Sequence, residues 1–155
     1  MTDITVQPTT SDDIAALRLA ADETELFPGE MLPDMVSGFL GGDADALWLT
    51  AHLAGTPVGF CYAVPEDLTN GTWNMLALAV RPAHQGDGVG GALVEALEDQ
   101  LRTQDVRVLI ADTSGTDAFT LTRRFYAKNG YSEEARIRDF WDAGDDKVVF
   151  WKALR

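Results

Sequence analysis

Residues 85–97 read QGDGVGGALVEAL and place four glycines within six positions, directly before the clearest helical pattern in the chain. Val89, Leu93 and Leu97 recur at helical spacing, and the apolar run over 72–80 predicts a strand before the loop. A glycine-rich turn between a strand and a helix presents backbone N–H groups at a helix N-terminus, where an anion is attracted. The segment therefore predicts an α/β arrangement that holds a phosphate-bearing ligand.

The glycine loop matches two phosphate-binding patterns. Gly86, Gly88 and Gly91 fit G-x-G-x-x-G, the pattern of a dinucleotide-binding loop. Gln85, Gly88 and Gly90 fit Q-x-x-G-x-G, the pattern of a loop that cradles the pyrophosphate of coenzyme A. Both patterns use backbone N–H groups, but they belong to different kinds of enzyme. The surrounding sequence therefore decides between them.

The position of the loop disfavours the dinucleotide pattern. A dinucleotide-binding loop starts within a residue or two of the end of its strand. Here residues 81–85 intervene, and Pro82 cannot continue a paired central strand. The motif also lies mid-chain and leaves too little parallel βαβ structure for a second nucleotide-binding half. The coenzyme A pattern is the favoured interpretation.

Periodicity predicts the element order β-α-α-β-β-β-α-β-α-β-β, without repeats or long linkers. We expect an α/β (α+β) fold with a mixed central sheet of about seven strands and helices on both faces, in a single domain over residues 1–155. The predicted strands cover residues 4–7, 47–53, 58–64, 72–80, 106–111, 131–137 and 147–154. The first predicted helix starts near Thr10 and Ser11, the second carries Leu32 to Leu40, and the third and fourth cover residues 89–101 and 120–128. On the third helix, Glu95, Glu98 and Asp99 are expected to face water.

The chain is strongly acidic, with 25 acidic residues against 12 basic ones and a formal net charge of −13. Such a surface repels phosphate backbones, which makes nucleic acid and anionic membranes poor partners. It attracts cationic small molecules or basic peptides instead. Adaptation to a salty environment explains the same charge equally well.

Other reactive residue types are sparse. Cys61 is the single cysteine and lies in the alternating apolar run VGFCYAV, so we expect a small core residue rather than a nucleophile. His52 and His84 lack the spacing of metal ligands, and no metal site is predicted. No apolar run is long enough to span a bilayer, and the first residues lack the features of a signal peptide. The expected location is cytoplasmic.

The glycine loop and the region around Tyr126 together resemble the GNAT acetyltransferase superfamily. The family pattern is a strand, a short loop with proline, Q/R-x-x-G-x-G/A, an amphipathic helix, a strand, and a helix that carries a tyrosine before a glycine–aromatic pair. This sequence supplies, in order, Val80, Pro82, Gln85, Gly88, Gly90, Phe125, Tyr126, Gly130 and Tyr131. The order of strands also matches over nearly the whole chain, and the ending RIRDFWDAGDDKVVFWKAL looks like one bacterial branch of the family.

The resemblance implies acetyl transfer from acetyl-CoA, the donor substrate, to a primary amine of a small molecule by direct attack in a ternary complex. It implies that backbone groups of one strand end pair with the pantetheine arm and that the loop N–H groups bind the pyrophosphate. Because the chain is anionic, the phosphates of the coenzyme also need local cations, which basic residues of the tyrosine helix can supply. The residues given these roles are Leu78, Ala79 and Val80, then Gln85, Gly86, Asp87, Gly88, Val89, Gly90 and Gly91, and finally Arg123 and Lys128.

The resemblance also makes Tyr126 the candidate general acid. A phenol stays protonated at neutral pH and can donate its proton to a leaving thiolate. Phe125 shares a helical face with Leu121, so we expect Phe125 to pack in the core. Tyr126 should then point about 100° away from Phe125.

The candidate general base is Asp112, which follows a predicted buried strand at a position where related sequences often carry an acid. Glu66, Asp67 or a chain of water molecules are alternatives. Phe119 stands where many family members carry an asparagine that contacts the coenzyme. This departure leaves room for a second hypothesis, a coenzyme A-binding regulatory or interaction module without turnover.

The acceptor is not specified by the sequence, and acetylation of proteins or peptides is a further alternative. Six apolar residues are candidates for an acceptor pocket and fit the core equally well: Leu26, Phe27, Met31, Trp73, Phe140 and Trp141. Open edges of a mixed sheet are often paired in homodimers. We therefore expect a possible homodimer, for which Trp141, Phe150 and Trp151 would suit the interface.

Overall fold

The computed structural model describes residues 3–42 and 45–155. Within these residues the chain forms seven strands and four α-helices in the predicted order. The strands are β1 (Ile4–Pro8), β2 (Leu47–Leu53), β3 (Thr56–Pro65), β4 (Thr72–Val80), β5 (Val108–Ser114), β6 (Ser132–Asp142) and β7 (Asp145–Ala153). The helices are α1 (Ile14–Glu23), α2 (Leu32–Leu40), α3 (Val89–Thr103) and α4 (Thr120–Lys128).

The strands form one mixed sheet in the order β1-β2-β3-β4-β5-β7-β6, which confirms the predicted fold class. β4 and β5 are parallel, whereas the β1–β2, β2–β3, β5–β7 and β6–β7 pairs are antiparallel. The chain divides into two compact units. The first consists of Met1–Val64 and Leu76–Leu101, and the second of Pro65–Met75 and Arg102–Arg155.

The core of the first unit is built around Trp48. Its indole stacks on Phe60, with ring centroids 5.7 Å apart, and on Tyr62, at 4.3 Å. Leu17 of α1 and Leu32 of α2 are fully buried in the same cluster. Each helix thus buries the apolar face that its sequence period predicts, and burial of such side chains is the main favourable term in folding.

In the second unit, strand register places three polar side chains on the same face of the sheet. Asn74 of β4 pairs with Ile110 of β5, and Ser114 at the end of β5 pairs with Lys147 of β7. Side chains alternate between the two faces of a strand, and directly paired residues share a face. Asn74, Asp112 and Lys147 therefore project from the same face of the sheet.

The bounds of two strands differ from the predicted ones. β5 was expected over 106–111 but runs from Val108 to Ser114, because its pairing with β7 begins at Val108 and continues to Ser114. β6 was expected to end at Ile137 but extends to Asp142, where it pairs with Asp145. The turn between β6 and β7 contains Gly144 at φ +78°, a left-handed conformation that glycine adopts without a steric penalty.

Two predictions about helix faces were wrong. Glu98 was expected to face water but is only 4% exposed, because it shares a face of α3 with the buried Val94 and Leu101. On α4, Phe125 was expected in the core, yet Tyr126 is the buried residue and Phe125 is partly exposed. Helical spacing identifies residues that share a face, and it does not tell which face packs inward.

The C-terminal aromatic residues separate into two groups. Phe150 is buried within the second unit, so the prediction that it suits a subunit interface was wrong. Trp141 and Trp151 remain exposed, and every residue of the edge strand β6 is exposed. A homodimer stays a prediction. Within the described ranges, no helix has the length and apolar character needed to cross a bilayer.

Candidate active site

The glycine loop connects β4 to α3 in the first unit. Pro82–His84 form a 3-10 turn, after which the side-chain amide of Gln85 donates a hydrogen bond to the Val80 carbonyl at 2.9 Å. Gly86 and Gly88 both lie at φ +88°, where a side chain would be strained. The glutamine therefore fixes the start of the loop against the end of β4, and the glycines allow its reversal.

The loop ends in the first turn of α3. The earliest helical hydrogen bond of this segment runs from the Ala92 N–H to the Gly88 carbonyl at 3.1 Å. The N–H groups of Val89, Gly90 and Gly91 precede it, and the first N–H groups of a helix have no acceptor within the helix. They carry the positive end of the helix dipole. This arrangement can bind an anion through backbone groups, while the Asp87 side chain is exposed.

The end of β4 is held by a close approach to β3 that the sequence analysis missed. A Cβ atom added to Gly59 would lie 2.8 Å from the Ala79 carbonyl oxygen and 3.3 Å from the Val80 Cα. Only glycine fits there without movement of the backbone. Ala79 is buried and Leu78 and Val80 are half-buried. A glycine inside an otherwise apolar strand was the available signal, since it often marks a close backbone approach.

Arg123 and Lys128, the two basic residues predicted to contact the coenzyme phosphates, have different surroundings. Arg123 donates from Nη1 to the carbonyls of Ser114 and Thr116, at 2.7 and 2.8 Å, and from Nη2 to the Thr120 hydroxyl at 3.3 Å. It thereby braces the connection between β5 and α4. Lys128, at the end of α4, is exposed. The contact of either residue with a phosphate stays a prediction.

Asp112 lies at the centre of a polar cluster in the second unit. Its Oδ2 accepts a hydrogen bond from Asn74 Nδ2 and lies 3.3 Å from Lys147 Nζ. The same Asn74 Nδ2 donates to Glu66 Oε1 at 2.9 Å. Glu66, named as an alternative base, is therefore joined to Asp112 through one amide. Asp67, the other alternative base, is exposed.

Asn74 is a residue of this cluster that the sequence analysis did not identify. It is only 5% exposed, and its Oδ1 accepts no hydrogen bond from the described part of the chain. A buried acceptor without a donor is unfavourable by about 1–3 kcal/mol. The signal was a polar residue inside the apolar strand TWNMLALAV, which needs a partner in a sheet core.

Tyr126 is buried among aromatic rings. Its ring centroid lies 5.6 Å from that of Tyr131 and 5.2 Å from that of Phe150, and it is 4% exposed. The neighbouring Phe125 contacts it edge to face. Phe119, which replaces the expected asparagine, is half-buried and closes the 3-10 turn before α4.

The acceptor-pocket candidates divide by burial. Trp73 is buried, while Leu26 and Phe27 pack against the core of the first unit. Met31, Phe140 and Trp141 are each about half exposed. Trp141 donates from its indole N–H to the Thr113 carbonyl at 3.3 Å, which anchors the exposed ring. Among residues 3–42 and 45–155, no group of His, Cys, Asp and Glu is placed to hold a metal ion.

The sequence profile of the Acetyltransferase (GNAT) family matches residues 14–131, which include the glycine loop, Asp112 and Tyr126. This chain belongs to the GNAT family. It is 26% identical over 116 residues to the IAA acetyltransferase of Azospirillum brasilense, covering 72% of this chain and 74% of that protein. The GNAT chain is thus an acetyl-CoA-dependent acyltransferase.

Solved structures agree with this GNAT assignment. A GNAT-family protein from Desulfovibrio desulfuricans has a TM-score of 0.91 at 27% identity, with 99% of this chain and 100% of that chain covered. The fold is shared with yncA from Salmonella typhimurium, solved with acetyl-CoA (TM-score 0.76, 19% identity, coverage 98% and 94%). It is also shared with an aminoglycoside 6'-N-acetyltransferase complexed with coenzyme A (TM-score 0.74, 16% identity, coverage 97% of both chains).

Proposed function

We propose that this GNAT acetyltransferase transfers the acetyl group of acetyl-CoA to a primary amine of a small molecule. The observation that carries the proposal is the place of Asp112, a mostly buried carboxylate that already lies against an ammonium group, Nζ of Lys147, at 3.3 Å. An amine is mostly protonated at neutral pH and must lose one proton before it attacks. A carboxylate within hydrogen-bond reach of the amine can accept that proton as a general base.

We infer direct attack by the amine, without an acetylated enzyme. Cys61 is the single cysteine of the chain, and it is fully buried. Burial raises the pKa of its thiol to about 12, so that the thiolate needed for nucleophilic attack is scarce at neutral pH. A covalent route through this residue is therefore disfavoured, which supports transfer within a ternary complex.

Acetyl-CoA supplies the activated acetyl group, and the chain supplies its binding groups. In this proposal the N–H groups of residues 86–91 hold the pyrophosphate, and Gln85 keeps the loop in position through Val80. Backbone groups of Leu78, Ala79 and Val80 pair with the pantetheine arm. The exposed, positive-φ glycines fit this role, because their N–H groups are not covered by side chains.

The proton steps are assigned to Asp112 and Tyr126. Asp112 takes the proton of the acceptor ammonium. The neutral nitrogen then forms a bond to the acetyl carbonyl carbon, the carbon–sulfur bond breaks, and the Tyr126 hydroxyl donates its proton to the departing sulfur. The nitrogen, which is positively charged after attack, loses its second proton through water to the Tyr126 phenolate, and this restores the phenol. Arg123 acts as a positioning residue, because it holds the segment between β5 and α4 through three hydrogen bonds.

A small, cationic acceptor is supported by the charge of the chain. A net charge of −13 draws cations toward the surface by long-range attraction. The fold is shared with an enzyme named for aminoglycosides, which are polyamines. We also propose that the chain acts as a single domain in the cytoplasm. The proposed oligomer is a homodimer in which two copies pair at a sheet edge.

Thiol release from acetyl-CoA tests the function. The protein is incubated with acetyl-CoA and panels of polyamines, amino acids, aminoglycosides and peptides, and free coenzyme A is followed with a thiol reagent. Saturable release with a non-peptide amine is the expected result. Activity on peptides alone would overturn the small-molecule acceptor, and binding of acetyl-CoA without release on any amine would favour the module without turnover.

A further inference from the structure

Arg81 follows β4 directly and connects three parts of the first unit. Its backbone N–H donates to the Val58 carbonyl of β3 at 2.9 Å, and its own carbonyl accepts the His84 N–H of the 3-10 turn at 2.8 Å. Its guanidinium donates from Nε and Nη2 to the two carboxylate oxygens of Glu23, at 2.7 and 3.3 Å. Arg81 therefore links the start of the glycine loop to β3 and to the last residue of α1.

The residues that follow, 82–87, make only local hydrogen bonds in the described part of the chain. The side-chain amide of Gln85 donates to the Val80 carbonyl, and its backbone N–H donates to the Pro82 carbonyl at 3.3 Å. Of the described residues, Arg81 alone thus joins this segment to α1 and β3 by hydrogen bonds. Its side-chain contact with Glu23 is the one that a substitution can remove without touching the backbone.

The contact between Arg81 and Glu23 has the geometry of an oriented pair. Two N–H groups of one guanidinium face two oxygens of one carboxylate, an arrangement that fixes direction as well as distance. The hydrogen bond from Arg81 holds the pKa of the Glu23 carboxyl below its ordinary range. Glu23 is therefore ionised at neutral pH, and the pair is present under the conditions in which the coenzyme binds.

The end of α1 that carries Glu23 is itself held in place. The neighbouring Asp22 accepts the Gly29 backbone N–H at its Oδ1 atom, at 2.6 Å. A Cβ atom added to Gly29 would lie 2.5 Å from the Arg18 carbonyl oxygen, so the turn before α2 packs tightly on the last turns of α1. On the opposite side of this helix, Leu17 is fully buried in the core. Glu23 thus joins the loop to a well-anchored helix end.

We propose that Glu23 is a positioning residue for coenzyme binding. Through Arg81 it holds the start of the glycine loop where the loop N–H groups meet the pyrophosphate, which rests on the role proposed above for residues 85–91. The sign of the effect separates positioning from charge. Glu23 is an anion beside a loop that receives an anion, so loss of its charge alone should strengthen coenzyme binding. Loss of its hold on Arg81 should weaken it.

Equilibrium binding of acetyl-CoA without an acceptor tests the proposal. Glu23→Gln keeps the length of the side chain, removes the charge and can accept only one of the two hydrogen bonds. The Kd for acetyl-CoA should rise roughly threefold to fivefold, the upper range for an exposed ion pair. A lower or unchanged Kd in a variant whose Tm shows that it is folded would overturn the positioning role.

The matched control is Glu25→Gln, which removes the same charge from an exposed position two residues further along the chain. Its Kd for acetyl-CoA should stay within about twofold of wild type, because exposed charges are screened by salt. Equal weakening by Glu23→Gln and Glu25→Gln would assign the effect to the acidity of the helix end and overturn the proposal.

Exchange of the two charges separates positioning from direct contact with a phosphate. Arg81→Glu alone should raise the Kd for acetyl-CoA, and the double variant Glu23→Arg/Arg81→Glu restores the pair in the reverse order. The Kd of the double variant should return to within about threefold of wild type. If Arg81 bound a phosphate itself, a carboxylate at position 81 would repel the coenzyme in both variants. A folded double variant that binds as weakly as Arg81→Glu would therefore reject the positioning role.

Turnover separates this proposal from the proposed function. With an active acceptor, Glu23→Gln should raise the KM for acetyl-CoA by the same factor as the Kd and keep kcat at saturation within about twofold. Weaker acetyl-CoA binding in Glu23→Gln, without transfer to any amine by wild type, would keep the positioning role and reject the function. Transfer in which Glu23→Gln and Glu25→Gln share the wild-type KM would reject the positioning role and keep the function.

Discussion

Nζ of Lys147 lies 3.3 Å from Oδ2 of Asp112, and both side chains are mostly buried, at 20% and 12% exposure. The contact follows from register, since Lys147 pairs with Ser114, two residues beyond Asp112 on the same face of β5. A charge pair in this setting is costly to break, because the remaining charge stays poorly hydrated. Substitutions that keep shape and hydrogen bonding are therefore needed to test the chemistry of this carboxylate.

Asp112→Asn keeps the size of the side chain and removes the proton acceptor. If Asp112 is the general base, turnover should fall by roughly 10² to 10⁴, with little change in acetyl-CoA affinity. The measurement is kcat by thiol release together with equilibrium binding of acetyl-CoA. Asp117→Asn, in the exposed turn before α4, is the control and should keep kcat within a factor of about two. A fully active Asp112→Asn enzyme would leave proton removal to water or to Glu66.

Gly88→Ala tests the coenzyme loop. Gly88 lies at φ +88°, and an alanine there is destabilised by about 1–2 kcal/mol or forces the loop into another conformation. The KM for acetyl-CoA should rise roughly 10-fold, because the N–H groups proposed to hold the pyrophosphate would be displaced. Gly55→Ala is the matched control, at φ +85° with open space around it in the β2–β3 turn. It should lower Tm similarly and leave KM unchanged; equal KM values for both variants would argue against the loop as the coenzyme site.

Cys61 should be inert toward thiol reagents in the folded protein. It is fully buried, and burial raises the pKa of its thiol to about 12. Labelling by an aromatic disulfide reagent should be slow in buffer and complete in denaturant, with one thiol per chain. Cys61→Ala should retain kcat. Rapid labelling accompanied by loss of activity would reopen a covalent route through this residue.

Asp146 should contribute to stability in a pH-dependent way. The backbone N–H of Asp139 and the Arg136 guanidinium hold the pKa of its carboxyl below the ordinary range. A lowered folded pKa gives stability that is present above the unfolded pKa of about 3.9 and is lost as pH falls through the folded value.

Asp146→Asn should accordingly lower Tm near pH 7, and its difference from wild type should shrink as the pH falls below about 4. Thermal unfolding at a series of pH values measures this. The exposed Asp67 provides the control, and Asp67→Asn should show little difference from wild type at any pH. A pH-independent deficit in Asp146→Asn would assign its effect to packing.

The sequence predicted the element order and the seven-stranded sheet because local period and turn residues determine them. β2 and β4 were predicted with their observed ends, and α4 as well. The ends of β5 and β6 differ from the prediction, since each strand extends as far as its pairing with β7 continues. The β6–β7 pairing continues to Asp142 and Asp145, and this register cannot be predicted from the sequence of either strand alone.

The site was predictable where a motif is continuous and less so where it depends on neighbours across the sheet. The loop from Gln85 to Gly91 was correctly placed between β4 and α3, and its contact with the coenzyme stays a prediction. Asn74 was missed, because its importance comes from contacts with Glu66 and Asp112, eight and 38 residues away along the chain. The inward direction of Tyr126 was missed for the same reason, since rings on β7 and after α4 determine which face of the helix is buried.

Tyr126→Phe tests the general acid. The substitution keeps the ring that packs against Tyr131 and Phe150 and removes only the hydroxyl. If the hydroxyl protonates the leaving thiolate, it acts mainly in the transition state, and turnover should fall by roughly 10² to 10⁴. Binding of acetyl-CoA should change by at most about 1 kcal/mol, a typical neutral hydrogen bond. The measurements are kcat with an active acceptor, equilibrium binding of acetyl-CoA, and Tm.

Tyr131→Phe is the matched control, because it removes the same group from another buried tyrosine of the same aromatic cluster. A purely structural role for Tyr126 predicts that both variants lose stability and keep turnover per folded molecule. A catalytic role predicts that kcat falls in Tyr126→Phe alone. The rate should recover in Tyr126→Phe when the coenzyme is replaced by an acetyl thioester whose thiol is more acidic, since a better leaving group needs less help from an acid. Unchanged turnover in Tyr126→Phe would end the acid assignment and leave the coenzyme loop and the fold untouched.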